Sequence, residues 1–160
     1  MTSSLPDPLQ QPSRLRLNRR FCPCDVQDDD ELFPNGIFEF NITRLLAFIR
    51  SKPERFPIEA VELVDLPDYG SERLDETTVL QADLSRPIIL AEIAPGHYAV
   101  LDGHHRLSKA RREGLHEVPA HRMKCPEHLP FLTSSRAYEA YVEYWNSKLG
   151  PARGGRRARR

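Results

Sequence analysis

Several features are scarce in this chain of 160 residues, and each scarcity excludes a class of protein. There are three cysteines, an odd count that does not make a disulfide framework. No apolar run approaches the roughly 20 residues that a membrane helix needs, and the N-terminus has no apolar signal segment. The 23 basic and 23 acidic residues cancel, so no overall charge points to nucleic acid or a membrane. We therefore expect a cytoplasmic protein with one modest core and no membrane partner.

The charges are unevenly placed along the chain. An acidic run lies within residues 25–31, and five arginines crowd the last eight positions. Residues 1–20 combine prolines with arginines, which predicts a mostly extended N-terminal arm. Residues 150–160, rich in glycine, alanine and arginine, predict a flexible basic tail. The globular domain is expected at residues 21–149 and ends in an amphipathic helix.

Turn and cap residues divide this domain into short elements. The Pro-Asn-Gly triplet at residues 34–36 predicts a turn leading into a strand, and Asn41 or Thr43 predicts a helix start. Further strands are predicted at 58–66, 88–93, 97–101 and 118–123, and further helices at about 76–84, at about 104–113 and after Ser134 or Ser135. Pro95-Gly96 suits a type II turn, which makes 88–101 an antiparallel hairpin. The irregular alternation predicts an α+β fold with a small mixed sheet, in which this hairpin leads into a helix.

The last predicted helix carries a regular set of apolar residues. They recur at helical spacing and form one apolar face: Tyr138, Tyr141, Val142, Trp145 and Leu149. We expect this face to pack on the domain's own sheet. The alternative is a surface that docks a partner.

The stretch LDGHHRLSKARREG, residues 101–114, carries the strongest chemical pattern in the chain. Gly103 lets the backbone turn sharply and approach a ligand closely. The N–H groups of His104, His105 and Arg106 open the helix without intrahelical acceptors, at the positive end of its dipole. Arg106 adds a guanidinium fork that can grip two phosphate oxygens. The pattern indicates an anion site, and the alternative is that Asp102 simply caps the helix.

The histidines also raise a metal alternative, against which their spacing argues. All six lie between residues 97 and 128, and a site would start from Asp102, His104 and His105. Adjacent histidines on a helix point about 100° apart, so they rarely share one metal. Cys22 and Cys24 are too close to each other and too far from the rest for an ordinary zinc site. We therefore predict no resident metal ligated by these residues.

The segment GHYAVLDGHHRLSKARREGLHEVPAHRM, with SRPIIL before it, resembles the ParB/sulfiredoxin superfamily over residues 85–123. Its Asp-Gly-His-His-Arg form resembles the free serine kinases of that superfamily. The resemblance implies a ParB/sulfiredoxin-like fold, in which the turn at residues 103–106 holds the phosphates of ATP, ADP or CTP. It argues against sulfinic-acid reduction, because His104 stands where sulfiredoxins carry their catalytic cysteine. It also argues against a full DNA-partition role, because no helix-turn-helix pattern follows residue 123.

We therefore expect a nucleotide-binding protein. The expected phosphate ligands are Gly103, His104, His105 and Arg106. The expected activity is phosphoryl transfer to a small hydroxyl-bearing acceptor, or nucleotide hydrolysis, with Mg²⁺ expected from the phosphate chemistry. His105 would donate a hydrogen bond to phosphate, and Asp102 would orient the site or take the acceptor proton. The serine-kinase resemblance further implies an upstream catalytic glutamate, for which we choose Glu39.

Two alternatives from other classes remain open on sequence alone. One is a nucleotide-gated adaptor without turnover, and the other is a ParB-like DNA-associated binding module. The basic helix supplies Lys109 and Arg112, which would add to the positive field at the phosphate site. Together with the arginine tail it keeps nucleic acid as a minor candidate partner.

Overall fold

The computed structural model of the protein describes residues 12–67 and 74–150. Its strands are β1 (Leu32–Asn35), β2 (Phe38–Asn41), β3 (Glu59–Glu62), β4 (Ile88–Ala94), β5 (His97–Asp102) and β6 (Glu117–Met123). Its helices are α1 (Ile42–Ser51), α2 (Glu76–Gln81), α3 (His104–Arg112) and α4 (Ser135–Lys148). The predicted basic tail after Gly150 and the first eleven residues of the predicted arm lie outside the described residues.

The described strands form two sheets. β1 and β2 make an antiparallel hairpin, and the other four make a sheet in the order β3-β6-β4-β5. In that sheet β4 runs parallel to β6 but antiparallel to β5. The sheet is therefore mixed, and the predicted α+β class with a small mixed sheet is confirmed.

The four-stranded sheet has a hydrophobic core on each face. Ile89 and Ala91 of β4 belong to a core shared with α1, α4 and the first hairpin. Ile88 and Leu90 of the same strand belong to a second core, which α3 covers. Because side chains alternate across a strand, burial on both faces makes β4 apolar at nearly every position. The same layering places the N-terminus of α3 against the start of β4.

The C-terminal helix packs as predicted. Ser134 caps it by accepting a hydrogen bond from the Ala137 N–H at 3.1 Å. The side chains of Tyr138, Tyr141 and Trp145 are buried in the first core. The apolar face is therefore covered by the protein's own sheet, and the alternative of a docking surface on this face is excluded.

The hairpin that precedes α3 is also confirmed. The turn between β4 and β5 falls on Pro95 and Gly96, and Gly96 has the positive φ of +73° that a type II turn needs. α3 then runs from His104 to Arg112, close to its predicted bounds. Gly114, with φ of +70°, follows its end, as the C-terminal glycine signal predicted.

Three predicted element bounds are wrong. Residues 34 and 35 pair within β1, and the turn falls on Gly36 and Ile37, because Asn35 lies opposite Phe38 in a tight hairpin. The predicted strand 58–66 stops at Glu62, where the chain coils into a 3₁₀ turn that buries Leu63. The helix predicted to residue 84 stops at residue 81. None of the described helices combines the length and the apolar character needed to cross a membrane.

Candidate phosphate-binding site

Gly103 sets the geometry at the start of α3. It is the residue before the first helical turn, with φ of +106°. A Cβ at this position would lie 2.4 Å from Cγ2 of Ile88 on the neighbouring strand. The first intrahelical bond joins the Leu107 N–H to the Gly103 carbonyl at 2.9 Å. The N–H groups of His105 and Arg106, which come before Leu107 in the first turn, therefore have no acceptor within the helix, as an anion site requires.

Asp102 does not cap the helix, so the capping alternative is wrong. No side chain caps α3. The Asp102 carboxylate instead accepts a hydrogen bond from Nη2 of Arg106 at 2.9 Å, and Nη1 of Arg106 donates to the Pro87 carbonyl at 2.9 Å. The two charged side chains are 11% and 15% exposed. Arg106 is thus held in one orientation, and because a guanidinium has five N–H donors, these two bonds do not exhaust it.

A cleft of about 400 Å³ opens at this helix end. It lies between the segment before β1, α1, the end of α2 and the start of α3. The residues that line it are Glu31, Leu46, Thr78, Gln81, Ala82, Asp83, Arg86, Asp102, Gly103, His105 and Arg106. Its volume is within the range of small-molecule sites, and two guanidiniums, those of Arg86 and Arg106, line it beside the helix start.

The two adjacent histidines have different surroundings. His105 lines the cleft. The ring of His104 stacks on Phe33 of β1, with ring centroids 5.2 Å apart. Burial lowers the pKa of His104 below its ordinary value, which favours the neutral form of its ring. The ring of His104 therefore packs on the first hairpin, and His104 is not among the residues that line the cleft.

The structure brings Asp102, Gly103, His105 and Arg106 into one cleft but leaves Glu39 outside its lining. Oε1 of Glu39 accepts a hydrogen bond from the Thr133 hydroxyl at 2.7 Å, in the segment before α4. The acidic residue near the first hairpin that does line the cleft is Glu31, which directly precedes β1.

Sequence reasoning missed seven of the cleft residues, among which Glu31, Asp83 and Arg86 carry charge and Thr78 carries a hydroxyl. Glu31 ends the acidic run of residues 25–31, which resembles an ordinary solvated stretch. Arg86 precedes a proline at the start of β4 and belongs to no periodic pattern. The one sequence signal was the concentration of polar residues just before β1 and β4.

Lys109 and Arg112 do not line the cleft, which corrects their predicted role. The Lys109 ammonium donates to the carbonyls of Leu80 and Ala82 at 2.9 Å each. Arg112 forms an ion pair with Glu76 at the other end of α2. These contacts hold α2 against α3, so the two cations support a wall of the cleft and do not face its interior.

The histidines do not converge. His121 contacts the Phe56 carbonyl through Nδ1 at 2.9 Å, and His128 is buried against Tyr141. Within residues 12–67 and 74–150, no three side chains of His, Cys, Asp or Glu come close enough to hold a metal ion.

The cleft nevertheless fits a magnesium–phosphate complex. Mg²⁺ is usually held by one or two carboxylates together with substrate phosphates. Asp102 is engaged by Arg106, whereas Glu31 and Asp83 line the same cleft. The Ser85 hydroxyl donates to Asp83 and lowers the pKa of that carboxyl. Two carboxylates other than Asp102 therefore border the space in which a phosphate would lie.

Comparison of the chain with protein-family models, with curated proteins and with solved structures found no match. The function of the site therefore has to follow from its own geometry.

Proposed function

We propose that the protein binds a nucleotide with its phosphates in the cleft at the start of α3. The proposed reaction is phosphoryl transfer to a small hydroxyl-bearing acceptor, or hydrolysis of the nucleotide. The observation that carries this proposal is the convergence of a glycine-initiated helix N-terminus with Arg106 and Arg86 on one cleft of about 400 Å³. The resemblance of residues 85–123 to the ParB/sulfiredoxin superfamily supports the same chemistry.

The charged and hydrogen-bonding groups of the cleft would divide the work of binding the phosphates. Phosphate oxygens accept from the N–H groups of His105 and Arg106 and from both guanidiniums, which neutralise the charge of the transferred group. His105 donates a further hydrogen bond. Mg²⁺, held by Asp83 together with the phosphates, would supply Lewis-acid polarisation of the phosphate.

The general base is reassigned from the sequence prediction. Asp102 is held by Arg106 and Glu39 by Thr133. Glu31 also lines the cleft, and its side chain is exposed. The acceptor hydroxyl would transfer its proton to Glu31 as its oxygen bonds to the terminal phosphorus and the bond to the leaving phosphate breaks.

Calorimetric titration tests the binding part. ATP, ADP, CTP and GTP, each with Mg²⁺, are titrated into the wild type, Arg86→Gln and Arg50→Gln. Arg86 is the probe, because loss of Arg106 would also break its hydrogen bonds to Asp102 and to the Pro87 carbonyl. We expect one nucleotide to bind and Arg86→Gln to weaken it about tenfold, or about 1.4 kcal/mol. Arg50, also exposed but on α1, is the matched control.

Two results would contradict the proposal. Either no nucleotide binds to the wild type, or the two arginine variants bind it equally well. Turnover is then followed as release of inorganic phosphate or of nucleoside diphosphate, with small alcohols as acceptors. Glu31→Gln is expected to abolish turnover and to retain binding, whereas Glu39→Gln retains both. Binding without turnover in the wild type would support the nucleotide-gated adaptor instead.

A further inference from the structure

A second cavity, of about 620 Å³, shares no lining residue with the phosphate cleft. It is bounded by the turn between β4 and β5, the segment that follows β6, the C-terminal part of α4 and the N-terminal arm. Most of its wall is apolar, formed by Pro12, Leu15, Pro95, Tyr98, Pro126 and Trp145. The proposed nucleotide chemistry does not use this cavity.

The N-terminal arm forms one wall of the cavity and is held in place by α4. Asn146 binds the backbone of Leu15 twice, accepting from its N–H at 2.8 Å and donating to its carbonyl at 2.9 Å. The indole N–H of Trp145 donates to the Ser13 carbonyl at 3.0 Å. Because these three bonds fix the backbone on both sides of Arg14, this wall of the cavity has a defined shape.

One carboxylate, that of Glu92 on β4, lines the cavity in a fixed orientation. Its Oε1 accepts from the Cys125 N–H at 3.2 Å, and its Oε2 accepts from the Gly96 N–H at 3.0 Å. Because a carboxylate has about four lone-pair sites, each oxygen can accept a further hydrogen bond. The side chain is half-buried, and within residues 12–67 and 74–150 it forms no ion pair. A partly buried carboxylate of this kind favours a cationic partner.

The other ionisable groups at the cavity leave this negative charge without a partner. Burial, and after it the charge of Glu92, raises the pKa of the Cys125 thiol to about 12 and also raises the pKa of Tyr98, so both stay uncharged near neutral pH. Lys124 lines the cavity, but it is exposed and its ammonium forms no ion pair in the described part of the chain. Arg122, over the Tyr98 ring, is already ion-paired and lies outside the lining.

We propose that this cavity binds a small organic cation, an amine with an apolar or aromatic body. The ammonium group would donate charge-assisted hydrogen bonds to Glu92. The body would bury apolar surface against Leu15, Tyr98 and the three prolines. The volume is within the range of small-molecule sites. An anion would be repelled by Glu92, and a neutral ligand would leave its carboxylate without an opposite charge.

Probes with the same phenyl body and different head groups test this proposal. They are phenethylammonium, the neutral phenethyl alcohol, the anionic hydrocinnamate and the zwitterion phenylalanine. Binding to the full chain is followed by NMR, in which the N–H resonances of Leu15, Gly96 and Cys125 report on the cavity that these residues line. We expect phenethylammonium to bind with a Kd of about 1 mM. The alcohol should bind at least about tenfold more weakly, and hydrocinnamate should not bind.

Two charge variants test which residue recognises the cation. Glu92→Gln should weaken phenethylammonium binding at least about tenfold. Glu139→Gln, which removes an exposed carboxylate of α4 outside the cavity, is the matched control and should bind as the wild type does. Lys124→Gln should strengthen binding about threefold, because it removes a like charge beside the cation. Thermal unfolding of each variant verifies the fold, since Glu92 also holds the turn between β4 and β5.

Several results would overturn the proposal. One is that phenethylammonium does not shift these resonances, and another is that Glu92→Gln and Glu139→Gln bind it equally well. Binding of phenethyl alcohol or phenylalanine as tight as that of phenethylammonium would overturn the assignment to a cation. Lys124→Gln is independent of the β4–β5 turn, so unchanged or weaker binding in this variant would also contradict the assignment.

Discussion

The carboxylate of Asp102 and the guanidinium of Arg106 form an ion pair at 2.9 Å across the first turn of α3. Both side chains are largely buried, so replacing Asp102 would leave the Arg106 guanidinium buried without an opposite charge. We expect Asp102→Asn to lower the free energy of unfolding by about 2 kcal/mol. Glu76→Gln, which breaks the exposed pair with Arg112, should be clearly milder, as exposed ion pairs generally are. Urea unfolding measures both, and equal losses would contradict the structural role of Asp102.

Gly103 is expected to be far less replaceable than Gly114, although both have positive φ. An alanine at 103 combines φ of +106° with a Cβ 2.4 Å from Cγ2 of Ile88, a contact that β-branched Ile88 cannot easily relieve. Gly114 has nothing within 4 Å of its added Cβ. We expect losses of about 3 kcal/mol or more for Gly103→Ala and about 1 kcal/mol for Gly114→Ala. Chemical denaturation measures the stability of both variants. Equal free energies of unfolding for Gly103→Ala and Gly114→Ala would contradict the expected difference.

Because of His128, the free energy of unfolding should decrease as the pH is lowered. This residue is fully buried, and the Tyr141 hydroxyl, which donates to the Glu92 carbonyl at 2.8 Å, accepts from its Nε2–H at 2.9 Å. Burial lowers the pKa of His128 from 6.5 to about 4. Above pH 6.5 the residue is neutral in both states, whereas between pH 6.5 and 4 the unfolded chain takes up the proton and the folded protein does not. The stabilisation of the folded state is therefore lost progressively as pH falls through this window.

The expected loss in the free energy of unfolding is about 3 kcal/mol between pH 6.5 and pH 4. Unfolding free energies are measured at several pH values for the wild type and for His128→Gln. His104, whose pKa burial also lowers, contributes with the same sign, so the difference between the two proteins isolates His128. If their stability curves ran parallel throughout the acid range, the buried neutral state of His128 would be disproved.

Asn146 is expected to control release of the N-terminal arm. Replacing it with alanine removes both hydrogen bonds to Leu15, worth about 1–2 kcal/mol together. We therefore expect trypsin to cleave after Arg14 and Arg16 about tenfold faster in Asn146→Ala than in the wild type. Ser147→Ala, one residue along on an exposed side of α4, serves as the control and should be cleaved at the wild-type rate. Unchanged cleavage in Asn146→Ala would mean that these bonds do not retain the arm.

Short-range patterns explain why several elements were predicted accurately. Pro95-Gly96 and the glycine after α3 act through the backbone dihedrals of their own turn, and Asn41, Asp75 and Ser134 each accept from an N–H three residues later. Such interactions depend little on the rest of the molecule. The error at residues 34–36 has the opposite origin, because strand pairing with β2 decided which residues turned.

The candidate site also has a part that local sequence predicts and a part that depends on tertiary packing. The Asp-Gly turn, the helix start and Arg106 are contiguous, so their proximity could be predicted from residues 102–106 alone. Glu31 and Arg86 reach the same cleft from distant segments. Their arrival depends on how α1, α2 and β4 pack around α3, which no local pattern encodes. Glu39 was chosen from the right region of the chain but lies outside the cleft lining.

The sequence by itself determined the α+β class, the hairpin, the glycine at the start of α3 and the buried face of α4, because each follows from backbone preference or hydrophobic period. Only the tertiary structure decided that Asp102 pairs with Arg106 and does not cap the helix, and that Glu31 and not Glu39 lines the cleft. It alone also showed that Asn146 holds Leu15 of the N-terminal arm on α4. These relationships depend on which buried faces pack together, and packing is a property of the whole chain.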